Sequence, residues 1–301
     1  MANTLGTTNA DVIAQEALKQ LKARLPVLGQ IAADHSAEGA KYGERVIVHE
    51  VAAAAAIDFN TTNGYAPSNR TQVDIPVTIN KHKHHTYGIG VQEASSSRVD
   101  LIARFAMNAA YAIGSAICSD LFALVLAAAF ANKTTKALGA GGDAFDRKVL
   151  LNIGAALSKR GVEPFGRFCV LNGDYYASLL QDSAMLEMLV LSGQKVIGGT
   201  ELPIIHNFGV SEFVDLPANA ENLVGIAGSR TSLAFATRIP DDPGEGFSNI
   251  SIRTVTEAET GISIQVREWY DANLGMFKRT YTLMYGVAVG QTDGLQRIVS
   301  A

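Results

Sequence analysis

VDIPVTINKHKHHTYGIGVQEASSS, residues 73–97, joins two unlike kinds of sequence. Val73, Ile75, Val77 and Ile79 alternate with polar residues, the period of a half-buried strand. Pro76 has no N–H to give to a ladder, so this strand belongs at an edge or in a two-stranded arm. The middle, Lys81 to His85, carries three of the chain's six histidines and two lysines within five positions. If the alternation runs on unbroken, Lys81, Lys83, His85, Tyr87 and Ile89 share the face of Val73 to Ile79, and His82 and His84 point the other way. Ser95-Ser96-Ser97 ends the stretch as a helix start signal.

Upstream, ERVIVHEVAAAAAI (44–57) reads as a strand, and DFNTTNGYAPSNRT (58–71) is turn-rich in Asn, Gly, Pro and Ser. The span 46–92 therefore reads as one long β-hairpin. A two-stranded hairpin is marginal in water, so it implies a neighbour to lie on. Before it, residues 9–25 have helical apolar spacing and stop at Pro26. One short terminal helix has no core of its own and must dock.

Downstream, residues 98–133 read as one helix of about 50 Å at about 1.5 Å per residue. Between Arg104 and Lys133 its sole charge is Asp120. The uncharged run from Phe105 to Ser119 falls short of the ~20 residues a membrane span needs. Arg104, Asn108, Tyr111, Ser115 and Ser119 fall on one narrow stripe, which describes a helix enclosed by protein on its other sides.

The rest mixes helices and strands. Asp143 or Asp146 caps a helix that Gly161 stops. RFCVLN (167–172) reads as a buried strand with a helix after it at 173–190. Residues 193–245 hold short strands and loops, and the last third holds alternating strands broken at Gly261 and at DANLG (271–275).

Composition sets bounds. The chain has 301 residues, 48% hydrophobic and 18% charged, enough to bury a sizeable core. A net charge of −4 gives no global basic field for nucleic acid. Cys118 and Cys169 lie in apolar contexts and form no disulfide framework. The N-terminus lacks the pattern of a secretory signal.

No catalytic constellation stands out. GAGG (139–142) is followed by Asp-Ala-Phe rather than the Lys-Ser/Thr of a phosphate loop. Asp241-Asp242 sits in a turn. Glu257 and Glu259 share one face, where surface charge or pairing with another subunit is the simpler reading than acid–base chemistry. His82 and His84 have a chelating i, i+2 spacing, but zinc needs further ligands. His35, His49 and His206 stand in separate segments, and Lys81 and Lys83 repel a dication. The expectation is no metal, no cofactor and no catalytic residue. The architecture, with two arms that each need a neighbour, points to assembly.

The order of parts resembles the major capsid proteins of tailed double-stranded DNA bacteriophages, the Hong Kong 97 fold. IAADHSAEGAKYGERVIVHEV is similar to the end of an N-terminal arm entering an extended loop. VDIPVTINKHKHHTYGIGVQEASSS is similar to that loop's descending strand, and RVDLIARFAMNAAYAIGSAICSDLF to the spine helix. FDRKVLLNIGAALSKRGVEPFGRFCVLNGDYYASLL resembles the opening of the axial domain, and REWYDANLGMFKRTYTLMYGVAVGQTDGLQRIVSA the closing peripheral strands.

The resemblance implies an α+β fold divided as N-terminal arm 1–45, extended loop 46–95, peripheral domain 96–135 with 250–284, and axial domain 136–249 with 285–301. It implies hexamers and pentamers closing into an icosahedral shell around double-stranded DNA, in a virion assembled in the host bacterial cytoplasm. DNA is enclosed without sequence-specific binding, and no membrane is involved. A separate scaffolding protein and a portal are the implied partners, with a cement protein as an optional one. Candidate contacts between subunits are Arg70, Lys81, His82, Lys83, His84, His85, Glu257 and Glu259.

Two departures from relatives carry expectations. The loop tip, 58–71, holds Arg70 but no lysine, so no covalent cross-link is expected there. The roughly 45 residues before the loop are few for a cleaved scaffolding segment, so no processing is expected. An encapsulin-like protein compartment shares this architecture, and a soluble oligomeric α/β enzyme is the reading from another class.

Overall fold

The computed structural model describes residues 33–34, 45–51, 58–59, 61–62, 72–90, 100–138, 145–182, 204–241, 250–256 and 262–301. The terminal helix expected at 9–25, most of the loop tip with Arg70, the glycine-rich 139–142 and the Glu257/Glu259 pair lie outside the described residues.

In chain order the elements begin with β1 (Ala33–Asp34), β2 (Arg45–Val51), β3 (Gln72–Thr78), β4 (Lys81–Gly90) and α1 (Asp100–Ala123). Next come β5 (Lys133–Lys136), α2 (Arg147–Lys159), β6 (Arg167–Leu171), α3 (Gly173–Leu180), β7 (Phe208–Glu212), β8 (Leu223–Ser229) and β9 (Leu233–Arg238). The last are β10 (Ile250–Thr256), β11 (Ser263–Asp271), β12 (Met276–Val289) and β13 (Leu295–Ser300). A six-stranded sheet runs β1-β9-β12-β11-β10 with β4 also on β12, a five-stranded sheet runs β5-β13-β8-β6-β7, and β2-β3 form a pair of their own.

α1 joins the two larger sheets. Ala106, Ala109, Ala110, Ile113, Ile117, Leu121 and Phe122 pack with Leu283 and Tyr285 of β12 and also with Phe168, Val170 and Ile226 of the five-stranded sheet. The alternate residues Cys169 and Leu171 face a second core with Val149, Leu150, Ile153 and Leu157 of α2 and Tyr175 and Leu179 of α3. The five-stranded sheet is therefore covered on both faces, and β6 reads as an unbroken apolar run because both faces are buried. β5, at one edge of that sheet, has the sequence KTTK.

Local chemistry sets the boundaries. Asp146 caps α2 by accepting from Val149 N–H at 3.0 Å, and Gly161 stops it in the left-handed region at φ 80°. Asn172 caps α3 by accepting from Tyr175 N–H at 3.0 Å. His206 and Asn207 both have positive φ and close the Ile205–Phe208 turn, as a tight two-residue hairpin turn requires.

Three expectations are corrected. The helix expected over 98–133 ends at Ala123, about 36 Å from its start. Turns follow, and then β5. Asn219 ends the helix by donating to the carbonyls of Phe122 and Val125 at 2.8 and 2.7 Å. Second, the single hairpin over 46–92 is two separate pairings. β2 pairs antiparallel with β3 from Arg45↔Thr78 to Val51↔Gln72, while β4 pairs with β12 from Lys81↔Tyr285 to Gly90↔Met276. Tyr87 and Ile89 find cover there, which a solvated hairpin lacks.

Third, the alternation does not run unbroken through residue 80. Ile75, Val77 and Ile79 pack on Ala234, Ala236, Met284 and Ala288, one face of the six-stranded sheet. Lys81 and Tyr87 lie on the opposite face, which meets α1. The chain crosses the sheet at Gly286, and that crossing reverses the faces.

Candidate functional site

The basic strand β4 forms one border of the six-stranded sheet and pairs with β12. Its two faces differ. His82 and His84 point away from α1, opposite Met284 and Thr282, and His82 Nε2 lies 2.7 Å from Thr282 Oγ1. Thr86 and Thr280 continue this polar face with hydroxyls 2.7 Å apart. His82, Lys83, His84 and His85 are all exposed.

The other face of β4 lies under α1. Lys81 Nζ is 2.8 Å from Asp120 Oδ1, and the hydroxyl of Tyr285 donates to Asp120 Oδ2 at 2.5 Å. Partial burial raises the Asp120 carboxyl, but the hydrogen bonds from Lys81 and Tyr285 and the charges of Lys81 and Lys83 outweigh it and hold it below the ordinary carboxylate range. Burial pushes the fully buried Tyr285 phenol up, and the hydrogen bond to Asp120 pushes it further. Asp120 stands in the last turn of α1, where the helix dipole disfavours an anion. Its partners offset that cost.

Further along the same face, the Tyr87 ring lies 5.4 Å from Phe105 of α1 and stacks on Tyr281 at 6.2 Å. Arg279 Nη2 pairs with Glu268 at 2.5 Å, with both side chains largely buried. This face carries two ion pairs and a run of rings, and meets α1 through Lys81 and Tyr87.

Of the residues singled out in the sequence, Lys81, His82, Lys83, His84 and His85 stand together on β4. Lys81 is engaged within its own chain. Among the described residues, no group of three or more His, Cys, Asp or Glu is placed to hold a metal ion. Cys118 and Cys169 are free and buried, and burial raises both thiols, so neither is a poised nucleophile. No described helix is long and apolar enough to cross a membrane.

Several structural residues escaped sequence reasoning. Arg297 donates to the Phe130 carbonyl at 2.6 Å and pairs with Glu221, whose other oxygen accepts from Ala127 N–H at 2.8 Å. Together with Asn219 they lock the turn after α1. A lone Asp120 in an apolar helix was the one advance signal, since such a charge requires a partner.

Comparison with solved structures is decisive for the fold. The capsid structure of the cyanophage P-SCSP1u matches with a TM-score of 0.60 at 10% identity, covering 90% of this chain and 86% of that one. The chain has the bacteriophage capsid fold. The mature capsid of bacteriophage PhiM1 matches with a TM-score of 0.58 at 9% identity, over 91% of this chain and 86% of that chain. The capsid of Ralstonia phage GP4 matches with 0.57 at 13% identity, over 89% and 86%. No family model and no curated protein matches the chain.

Proposed function

We propose that the chain is the major capsid protein of a tailed bacteriophage, a structural subunit that closes as hexamers and pentamers into a shell around double-stranded DNA. The observation that carries this reading is the whole-length match to phage capsids, about nine-tenths of each chain. A β2-β3 hairpin paired with itself and anchored at its root fits it, because such an arm gains stability by lying on another copy. The relatives of known structure are capsid proteins rather than enzymes, and the chain acts as a structural protein without catalytic chemistry.

The proposed organisation keeps the arm at 1–45, shortens the loop expected at 46–95 to the part before β4, which belongs to the six-stranded sheet, and keeps a peripheral unit of 96–135 with 250–284 and an axial unit of 136–249 with 285–301. Arg70, His82, Lys83, His84, His85, Glu257 and Glu259 are its proposed contacts between copies, whereas Lys81 pairs with Asp120 within its own chain. The shell assembles in the host cytoplasm with a scaffolding protein and a portal, and its net charge of −4 suits a container that releases its DNA. Electron microscopy of the expressed full chain tests this. Closed shells or capsomer rings are expected. Dispersed particles of enzyme size overturn the reading, and closed shells carrying protein cargo instead of DNA redirect it to a compartment.

A further inference from the structure

The root of the hairpin is gripped from both faces of one sheet. On one face Val46, Val77 and Ile79 rest on Ala234 and Ala236, with Met284 and Ala288 beside them. The alanines make this a shallow apolar contact. Two residues after Ile79 the chain has crossed to the opposite face, where Lys81 meets Asp120 at 2.8 Å and Tyr285 holds the second oxygen of the same carboxylate at 2.5 Å. Lys81 and Asp120 keep side-chain exposures of 33% and 25%, so the pair is reachable by water yet shielded enough to count. Tyr285 is fully buried in the main core and cannot follow the hairpin if it swings.

These three groups belong to three different elements. Lys81 opens β4 directly after the crossing, Asp120 lies in the last turn of α1, and Tyr285 lies on β12. Asp120 holds an unfavourable place on its helix, so its position is explained by what it grips. We infer that Asp120, fixed by Tyr285, is a tether that holds Lys81 and so sets the angle at which the hairpin leaves the body. Asp120 is faced by the ammonium groups of Lys81 and Lys83 from β4 and by the neutral phenol of Tyr285 from β12. The tether itself stands on geometry within one chain. Its consequence for how the hairpin reaches another copy rests on the shell reading.

Hydrogen–deuterium exchange on the purified full chain, kept unassembled by dilution and checked by sedimentation, tests it. Asp120→Asn, Lys81→Gln and the double variant are compared with wild type at neutral pH. Amides of 45–51 and 72–78 should exchange roughly tenfold faster in each single variant. Amides of β6 and β13 should stay protected as in wild type. The double variant should match the singles, because one tether can be cut only once. Unchanged hairpin exchange overturns the inference. So does equal loosening of β6 and β13, which marks a general stabilising pair, and so does an additive double variant. Every sample compared is unassembled, so failure of the tether and failure of the shell reading are distinguishable.

Discussion

Gly286 lies directly beneath the carbonyl of Thr78: a Cβ built on Gly286 would come within 2.2 Å of that oxygen and 3.1 Å of the Ile79 Cα. This is where the hairpin strand passes over β12. The contact is backbone on backbone, so no side-chain rotation relieves it. Gly286→Ala should therefore destabilise the chain by about 3 kcal/mol or displace the hairpin root. Denaturant unfolding with hydrogen exchange of 72–78 checks this, and wild-type values in both would contradict the close crossing.

Asn219 has two separable roles. Its side chain donates to one carbonyl in the last turn of α1 and one just beyond it, and its backbone sits at φ 49°. Asn219→Ala loses both features and should cost about 1–3 kcal/mol. Asn219→Gly loses the hydrogen bonds but relaxes the backbone, and should cost less. Chemical denaturation of both variants orders them, and the reverse order would remove the backbone contribution.

The Asp120 carboxyl is held below its ordinary value, so it stabilises the fold in its charged form. That contribution is fully present above the unfolded value of about 3.9 and is lost as pH falls through the lower folded value. The stability gap between wild type and Asp120→Asn should be flat near about pH 6 and shrink below about pH 4. A gap that widens in acid would reverse the sign of the Asp120 interaction.

Lys81 and Lys83 separate an internal role from an external one. Lys83 is exposed, whereas Lys81 is paired at home. Lys81→Glu with Lys83→Glu should impair shell assembly and lower salt tolerance. Lys83→Glu alone should impair assembly while leaving hairpin exchange near wild type. Sedimentation and electron microscopy read assembly, and a chelator should leave shells intact. Disassembly by a chelator would return the histidines to the metal reading.

The loop tip, 58–71, carries no lysine for an isopeptide bond. Boiled, denatured shells should run as single chains on a gel. A ladder of covalent multimers would place a reactive amine elsewhere in the chain.

Much of the fold was legible because burial writes a period into sequence. β6 reads as a buried strand, α2 announces its cap at Asp143 or Asp146, of which Asp146 is the one used, and its stop at Gly161, and the stripe from Arg104 to Ser119 marks the outward side of α1. The crossing at residue 80 was not legible. Alternation tells which residues share a face within one strand, but it carries no information about a strand that steps over a sheet, and Gly286 lies about two hundred residues away. The end of α1 was hidden for a similar reason. LFALVLAAAFANK is rich in Ala and Leu, the strong helix formers, and what stops it is an asparagine side chain far along the chain. Asp120 signalled that it had a partner without saying which.

The edge strand β5 has a consequence for the chain before it meets any other copy. Its sequence is KTTK, with Lys133 and Lys136 at its two ends. An open sheet border invites a further strand, and lysines there make such docking unfavourable by like-charge repulsion and by the cost of stripping their water. A chain packed beside its own copies, as the proposed shell requires, is exposed to runaway fibre growth. This border discourages it, so edge-to-edge extension of the sheet is a poor route to polymer.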